Sequence, residues 1–237
     1  MGWVLAHSAH NNRINEMNSN YKYRPKTIDE FVFATPKLEN QIKRYADGKT
    51  MLPLVLHGEY GTGKSLLADL IPKAIDGDSV VVNYVNAEEL NNAKEVREKF
   101  FRSVQYDRLF STDGQKNNYT VVEEVNFDPK AKGALRVCLD GMAERELFIF
   151  TTNEIEKIDK GLLSRAEVVE VLPAPPDRFF ARAQHILRSE GVDLDDSVLR
   201  DVLETVYEND FDNRAYYRAL DEIIEAWNDK TNFVMKG

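Results

Sequence analysis

The chain has 237 residues, 43% of them hydrophobic and 30% charged, with a formal net charge of −9. That mixture belongs to a globular chain and excludes a wholly disordered one, and no stretch nears the roughly 18 uninterrupted apolar residues of a membrane helix. One cysteine, Cys138, excludes an internal disulfide and fits a cytoplasmic address.

Residues 1–20 read as an N-terminal extension. They lack the basic lead of a signal peptide, and Ala6 stands where a myristoylation motif after Gly2 requires Ser or Thr. From residue 21 to residue 175, short β-branched runs alternate with helical stretches, the pattern of a parallel sheet between helices in an α/β fold. The predicted strands are Leu54–Leu56, Val80–Val85, Tyr119–Val122, Leu147–Thr151 and Val168–Val171. Most are continuous apolar runs, as strands covered on both faces are.

The segment HGEYGTGKS, residues 57–65, lies between the first strand and the helical run that starts near Leu66. Gly58, Glu59, Tyr60, Gly61, Thr62, Gly63, Lys64, Ser65 and Leu66 satisfy the phosphate-loop pattern with its flanking residue. Glycines let backbone N–H groups converge on phosphate oxygens, the lysine reaches the β- and γ-phosphates, and the serine hydroxyl binds Mg²⁺. The predicted ligand is a nucleotide with Mg²⁺. A second acidic strand end, Tyr119 to Glu124, is expected beside this loop, with Glu123 helping to hold the metal and Glu124 polarising the attacking water.

Asp128-Pro129 predicts the N-terminus of a helix running to about Ala143, with Cys138 as a small core residue. Pro173-Ala174-Pro175-Pro176 reads as a stiff linker. Helices are predicted over Asp177–Glu190, Asp195–Tyr207 and Asp212–Trp227, forming a small helical domain over residues 176–237. From Pro176 onward there are 8 basic and 14 acidic residues, against 23 and 26 before it. Any polyanion is therefore expected on the N-terminal two thirds.

Taken in order, Tyr23-Arg24-Pro25-Lys26-Thr27-Ile28-Asp29-Glu30-Phe31, GEYGTGKS, VVEEVN, FIFTTNE and LLSRAEVVE resemble an AAA+ ATPase of the clamp-loader small-subunit type. The resemblance runs from residue 21 to about residue 225. It implies an AAA+ phosphate-loop core followed by a small all-helical lid domain, and ATP sites at the interfaces of an oligomer. It places Tyr23, Arg24 and Pro25 by the adenine. It gives Asn86 the role of restraining Glu124 until ligand binds, and Asn153 that of orienting water near the γ-phosphate. Arg165, in Ser164-Arg165, matches an arginine finger acting on a neighbouring subunit's ATP. Arg214 matches a second sensor of the γ-phosphate, with Arg218 at i+4 as the rival reading of a plain helix surface.

Four departures accompany the resemblance. Ala166 stands where the family usually has cysteine, Phe211 where it has glycine, and Glu123 where it has aspartate. The extra methylene of Glu123 is expected to slow turnover more than binding. Clamp-loader subunits also carry an all-helical collar after the lid, which this sequence is expected to lack.

The resemblance further implies backbone contacts to DNA through Lys94, Arg97, Lys99 and Arg102 on one helix and Lys130, Lys132 and Arg136 on another. Both stretches also carry acids, so solvated helix faces are the competing reading. Two functions remain open at this level. One is an ATP-hydrolysing motor or switch acting on DNA with other AAA+ subunits, and with a sliding clamp as a candidate partner. The other is an ATP-gated scaffold with weak hydrolysis that recruits an effector, as in a mobile-element or defence system.

Overall fold

The computed structural model describes residues 19–86, 94–96, 98, 116–123, 129–141 and 145–234, with the side chains of 129–132 and 230–234 outside that description. The described chain falls into two compact units. The larger holds Thr27–Phe31 and Thr35–Leu172; the smaller holds the described residues through Lys26, then Val32–Ala34 and Pro173 onward.

In the larger unit, α2 (Pro36–Ala46) precedes β1 (Leu54–His57) and α3 (Lys64–Asp76); the four-residue α1 (Ser19–Lys22) belongs to the smaller unit. Then come β2 (Asn83–Asn86), β3 (Asn118–Glu123), α4 (Pro129–Asp140), β4 (Glu146–Thr152), the short α5 (Lys160–Leu163) and β5 (Glu167–Glu170). The five strands form one sheet in the order β2-β3-β4-β1-β5, and every pairing is parallel. The α/β class read from the sequence is the class observed.

All seven β4 residues are buried, with the apolar run Leu147–Phe150 flanked by Glu146, Thr151 and Thr152, and the strand sits at the centre of the sheet. Side chains alternate between the faces of each strand. Val55, Val122, Phe148 and Phe150 meet Ala134, Leu135, Cys138 and Leu139 of α4 in one core cluster, so Cys138 is the core residue its neighbours predicted. On α3, Leu67 and Ile71 repeat at i,i+4 and are both fully buried, contributing roughly 1.5–3 kcal/mol each.

Two sequence expectations are corrected here. The second strand begins at Asn83, leaving Val80–Val82 outside it. By the register that sets Asn83 opposite Thr120, Val80 would face Asn117. The N–H of Asn117 is instead donated to Asp76 Oδ2 at 3.0 Å, so that run has no ladder to join.

The proline-rich stretch is not a linker. Ala174 is fully buried in the core of the smaller unit. Its N–H donates to Asn213 Oδ1 at 2.8 Å, and its carbonyl accepts from the Tyr216 hydroxyl at 2.9 Å. Pro176 is already the first residue of α6 (Pro176–Ser189), whose φ proline presets.

The smaller unit is completed by α7 (Asp196–Asp210) and α8 (Asn213–Val234). Its core gathers Phe179, Ala183, Ile186 and Leu187 of α6, Leu199 and Leu203 of α7, and Tyr216, Tyr217 and Leu220 of α8. Phe179 stacks on Tyr216 with ring centroids 4.4 Å apart.

Candidate nucleotide-binding site

Parallel strands all expose their C-terminal ends along one sheet edge, where open α/β sheets bind ligands. That edge carries the residues singled out from the sequence. β1 ends at His57 and runs into the loop from Gly58 to Gly63; β4 ends at Thr152, opposite His57 in register, and leads into Asn153. β3 ends at Glu123, opposite Asn86 at the end of β2.

One strand, β4, separates the strand bearing Glu123 from β1, and all three end along the same edge of the sheet. The β4 run Leu147–Phe150 is buried throughout, which suits its central place. The sequence reading paired Asn86 with Glu124. The observed register sets Asn86 opposite Glu123, and Glu124 lies outside the described residues.

The loop is built by steric necessity. Gly58 has φ +143°, and a Cβ there would lie 2.4 Å from the Val171 carbonyl oxygen. Gly63 has φ +102°, and its Cβ would lie 2.7 Å from Cε2 of Phe31. Phe31 thus floors the turn into α3, a supporting residue that the sequence offered only as one letter of a longer match.

Thr62 is fully buried, and its hydroxyl donates to the Glu59 carbonyl at 3.1 Å. Glu59 and Tyr60 are exposed at the loop tip, and Ser65 is exposed in the first turn of α3, ahead of Leu66.

Lys64 opens α3 and is only 8% exposed. Its Nζ donates to the Gly58 carbonyl at 2.9 Å and the Glu59 carbonyl at 2.6 Å. Those two oxygens occupy donors that a phosphate would otherwise take. A buried ammonium, an adjacent helix N-terminus and a glycine-shaped turn fit an anion. An exposed Ser65 hydroxyl and the Glu123 carboxylate at the same sheet edge are oxygen donors suited to Mg²⁺. His57, just before the loop, has its pKa lowered chiefly by burial and further by the Lys64 charge, with Glu170 opposing.

Arg165 follows α5 and is held by residues of its own chain. Its Nε donates to Asp140 Oδ1 at 2.6 Å and its Nη2 to Asp140 Oδ2 at 3.0 Å. Nη1 donates to the Gly161 carbonyl at 2.9 Å.

Arg136, one turn before Asp140 on α4, pairs with Asp159 at 3.4 Å. Lys94 is 83% exposed and lies 4.0 Å from Glu98. Arg97, Lys99 and Arg102 lie outside the described residues, as do the side chains of Lys130 and Lys132.

Tyr23, Arg24, Pro25 and Arg214 belong to the smaller unit. The Tyr23 hydroxyl donates to Glu190 Oε1 at 2.7 Å, and Lys22 donates to the same oxygen. The Tyr23 carbonyl accepts from Arg182. Arg24 is exposed and Pro25 buried. Arg214 is exposed in the first turn of α8, its backbone N–H bonded to Asp212 Oδ1 at 2.8 Å. Arg218 pairs with Asp212 and Asp210 at 3.7 and 3.9 Å.

Known proteins bear on this geometry. The family model for the ATPase family associated with various cellular activities (AAA) matches residues 54–174. Replication factor C small subunit 2 of Pyrobaculum arsenaticum is 28% identical over 190 residues, which are 79% of this chain and 56% of that protein. The replication factor C small subunit of Thermofilum pendens is 28% identical over 186 residues, 77% of this chain and 56% of that one. The chain spans about half the length of the curated relatives it matches. A mutant of Thermotoga maritima RuvB superposes with a TM-score of 0.63 over 83% of this chain and 63% of its own, at 13% identity, a likeness of fold. No helix among the described residues is long and apolar enough to cross a membrane. With its phosphate loop, five-stranded parallel sheet and family match together, the chain belongs to the AAA family of ATPases and is similar within it to clamp-loader small subunits.

Proposed function

We propose that this chain binds and hydrolyses ATP with Mg²⁺ at the subunit interfaces of an oligomer, in the cytoplasm, and acts with DNA in the manner of a clamp loader. The observation that carries the proposal is the loop from Gly58 to Lys64, whose close contacts exclude side chains and whose lysine spends its donors on loop carbonyls.

Lys64 binds the β- and γ-phosphates, and Ser65 and Glu123 are the residues that would hold the metal, which would supply charge neutralisation at the phosphates. Glu124 takes the proton of the attacking water, Asn153 orients that water, and Arg165 stabilises the charge developing on a neighbour's nucleotide. The adenine role of Tyr23, Arg24 and Pro25 and the sensor role of Arg214 rest on the family resemblance. DNA binding is assigned to Lys94, Arg97, Arg102, Lys130, Lys132 and Arg136, and a sliding clamp is the proposed protein partner.

Steady-state ATP hydrolysis with and without primer–template DNA, with Glu124→Gln as the blank, tests the reading. DNA should stimulate wild-type turnover, and the variant should bind ATP without turning it over. Bound ATP with negligible turnover in both conditions would instead indicate a nucleotide-gated scaffold that recruits an effector.

A further inference from the structure

α4 and the segment around α5 exchange two ion pairs in reciprocal sense. α4 contributes Arg136 and Asp140, one turn apart, while the α5 segment contributes Asp159 and Arg165. Gly161 makes the approach close enough, since a Cβ there would stand 2.4 Å from Cδ of Arg136. Asp140 is the last residue of α4, and no basic residue lies in that last turn. A carboxylate at a helix C-terminus opposes the helix dipole, so the helix itself gains nothing from aspartate at this place.

The pair is also shaped for a purpose other than stability. Both partners are substantially exposed, Arg165 at 36% and Asp140 at 56%, and exposed pairs contribute little to folding. The carboxylate grips the guanidinium side-on, through Nε and Nη2. A side-on grip leaves the second N–H of Nη2, at the far end of the fork, unused by Asp140. The Gly161 carbonyl steadies Nη1. An otherwise flexible arginine is thereby held rigidly at the surface.

We propose that Asp140 is a positioning residue for the arginine finger: it fixes the guanidinium side-on so that its end meets the γ-phosphate of a neighbouring subunit's ATP. The inference rests on the trans role proposed for Arg165. In the hydrolysing assembly, Asp140→Ala should lower kcat about tenfold, the scale set by losing preorganisation of a charged group, while KM for ATP stays unchanged. The double variant with Arg165→Ala should be no slower than Arg165→Ala alone.

The defect should also act in trans. Mixed with Glu124→Gln subunits, whose fingers are intact, Asp140→Ala subunits should hydrolyse more than the sum of the two separate preparations. Asp140→Asn, which keeps the shape and loses the charge, should fall between wild type and Asp140→Ala. Normal or faster turnover in Asp140→Ala, with Arg165→Ala slow, overturns the positioning role alone. Normal turnover in Arg165→Ala removes the finger itself, and the positioning role with it.

Discussion

A side-chain carbon on Gly58 would stand 2.4 Å from the carbonyl oxygen of Val171. The contact exists because β5 continues past its last ladder residue, where the Val171 N–H donates to the His57 carbonyl at 2.7 Å. The first glycine of the phosphate loop is thus pinned to the sheet before any nucleotide arrives.

Gly58→Ala should therefore destabilise the nucleotide-free protein by about 2–3 kcal/mol, from overpacking together with a backbone conformation that alanine disfavours. Gly77→Ala serves as the control, because Gly77 also has positive φ, at +92°, but nothing lies within 4 Å of its added carbon. That control should lose the backbone strain alone, about 1–2 kcal/mol, since φ +92° with ψ 172° is a conformation essentially reserved for glycine. Thermal melts distinguish the two, since 1 kcal/mol corresponds to about 2–4 °C at this chain length. Equal losses would show that strain alone, and not the Val171 contact, fixes the loop.

Asp76 should prove a hidden support of the sheet edge. Its Oδ2 accepts from the Lys116 and Asn117 N–H groups, from Asn117 Nδ2 and, at 2.8 Å, from the Tyr119 hydroxyl. Tyr119 is fully buried, and burial with the Asp76 hydrogen bond pushes its phenol pKa up. Asp76→Ala removes the acceptor of the buried hydroxyl's proton, leaving only the 3.3 Å donation from Asn117 Nδ2 to its oxygen, and should cost about 2–3 kcal/mol. Tyr119→Phe removes donor and need together and should cost about 1 kcal/mol or less. If denaturant melts show Tyr119→Phe to be the more damaging, the hydroxyl is satisfied by something other than Asp76.

The phosphate loop, the β4 core strand and the three helices of the smaller unit were legible because each rests on local pattern. The glycines sit at fixed offsets, Leu147–Phe150 is apolar throughout, and caps such as Asp195, whose carboxylate accepts from the Ser197 N–H at 2.8 Å, mark helix starts. Strand order was not legible, since it depends on which ribbon can be buried on both faces and is settled only among all five. Ala174 misled for a related reason. Prolines on either side signal a stiff extended segment, but whether such a segment bridges units or packs in one depends on distant partners, here Asn213 and Tyr216. Asp140 was invisible as a partner of Arg165, because a helix-terminal acid 25 residues upstream carries no pairing signal of its own.

Phe211 offers a test of a departure that was legible. It stands where the family uses glycine, and it adopts φ +49° as the left-handed cap of α7. That conformation costs a non-glycine residue roughly 1–2 kcal/mol. The ring recovers part of this by packing on Tyr207 at 5.2 Å while staying 39% exposed. Phe211→Gly should raise the melting temperature by about 1–3 °C, a net gain below 1 kcal/mol. A lower melting temperature would mean that the ring contact outweighs the strain and that the departure from glycine is itself stabilising.

His57 should give the protein a pH dependence in a window of its own. Burial is the main cause of its lowered pKa, and the charge of Lys64 acts in the same direction against Glu170. An unfolded histidine titrates near 6.5, so below that pH the unfolded chain takes up a proton that the folded chain resists. Stability from this group is complete above about pH 6.5 and is lost as pH falls through that value toward the lower folded pKa. The carboxyls of Glu190, Asp140 and Asp195 are also lowered, by Lys22, Arg165 and Ser197 respectively. Their contributions disappear only below the ordinary carboxylate range, about pH 4. Melting temperatures of the nucleotide-free protein should thus be level between about pH 7 and 8 and decline between about pH 6.5 and 5.5. In His57→Gln that upper decline should flatten while the acid decline remains. Persistence of the upper decline in the variant would assign the titration to another group and leave His57 a neutral end to β1.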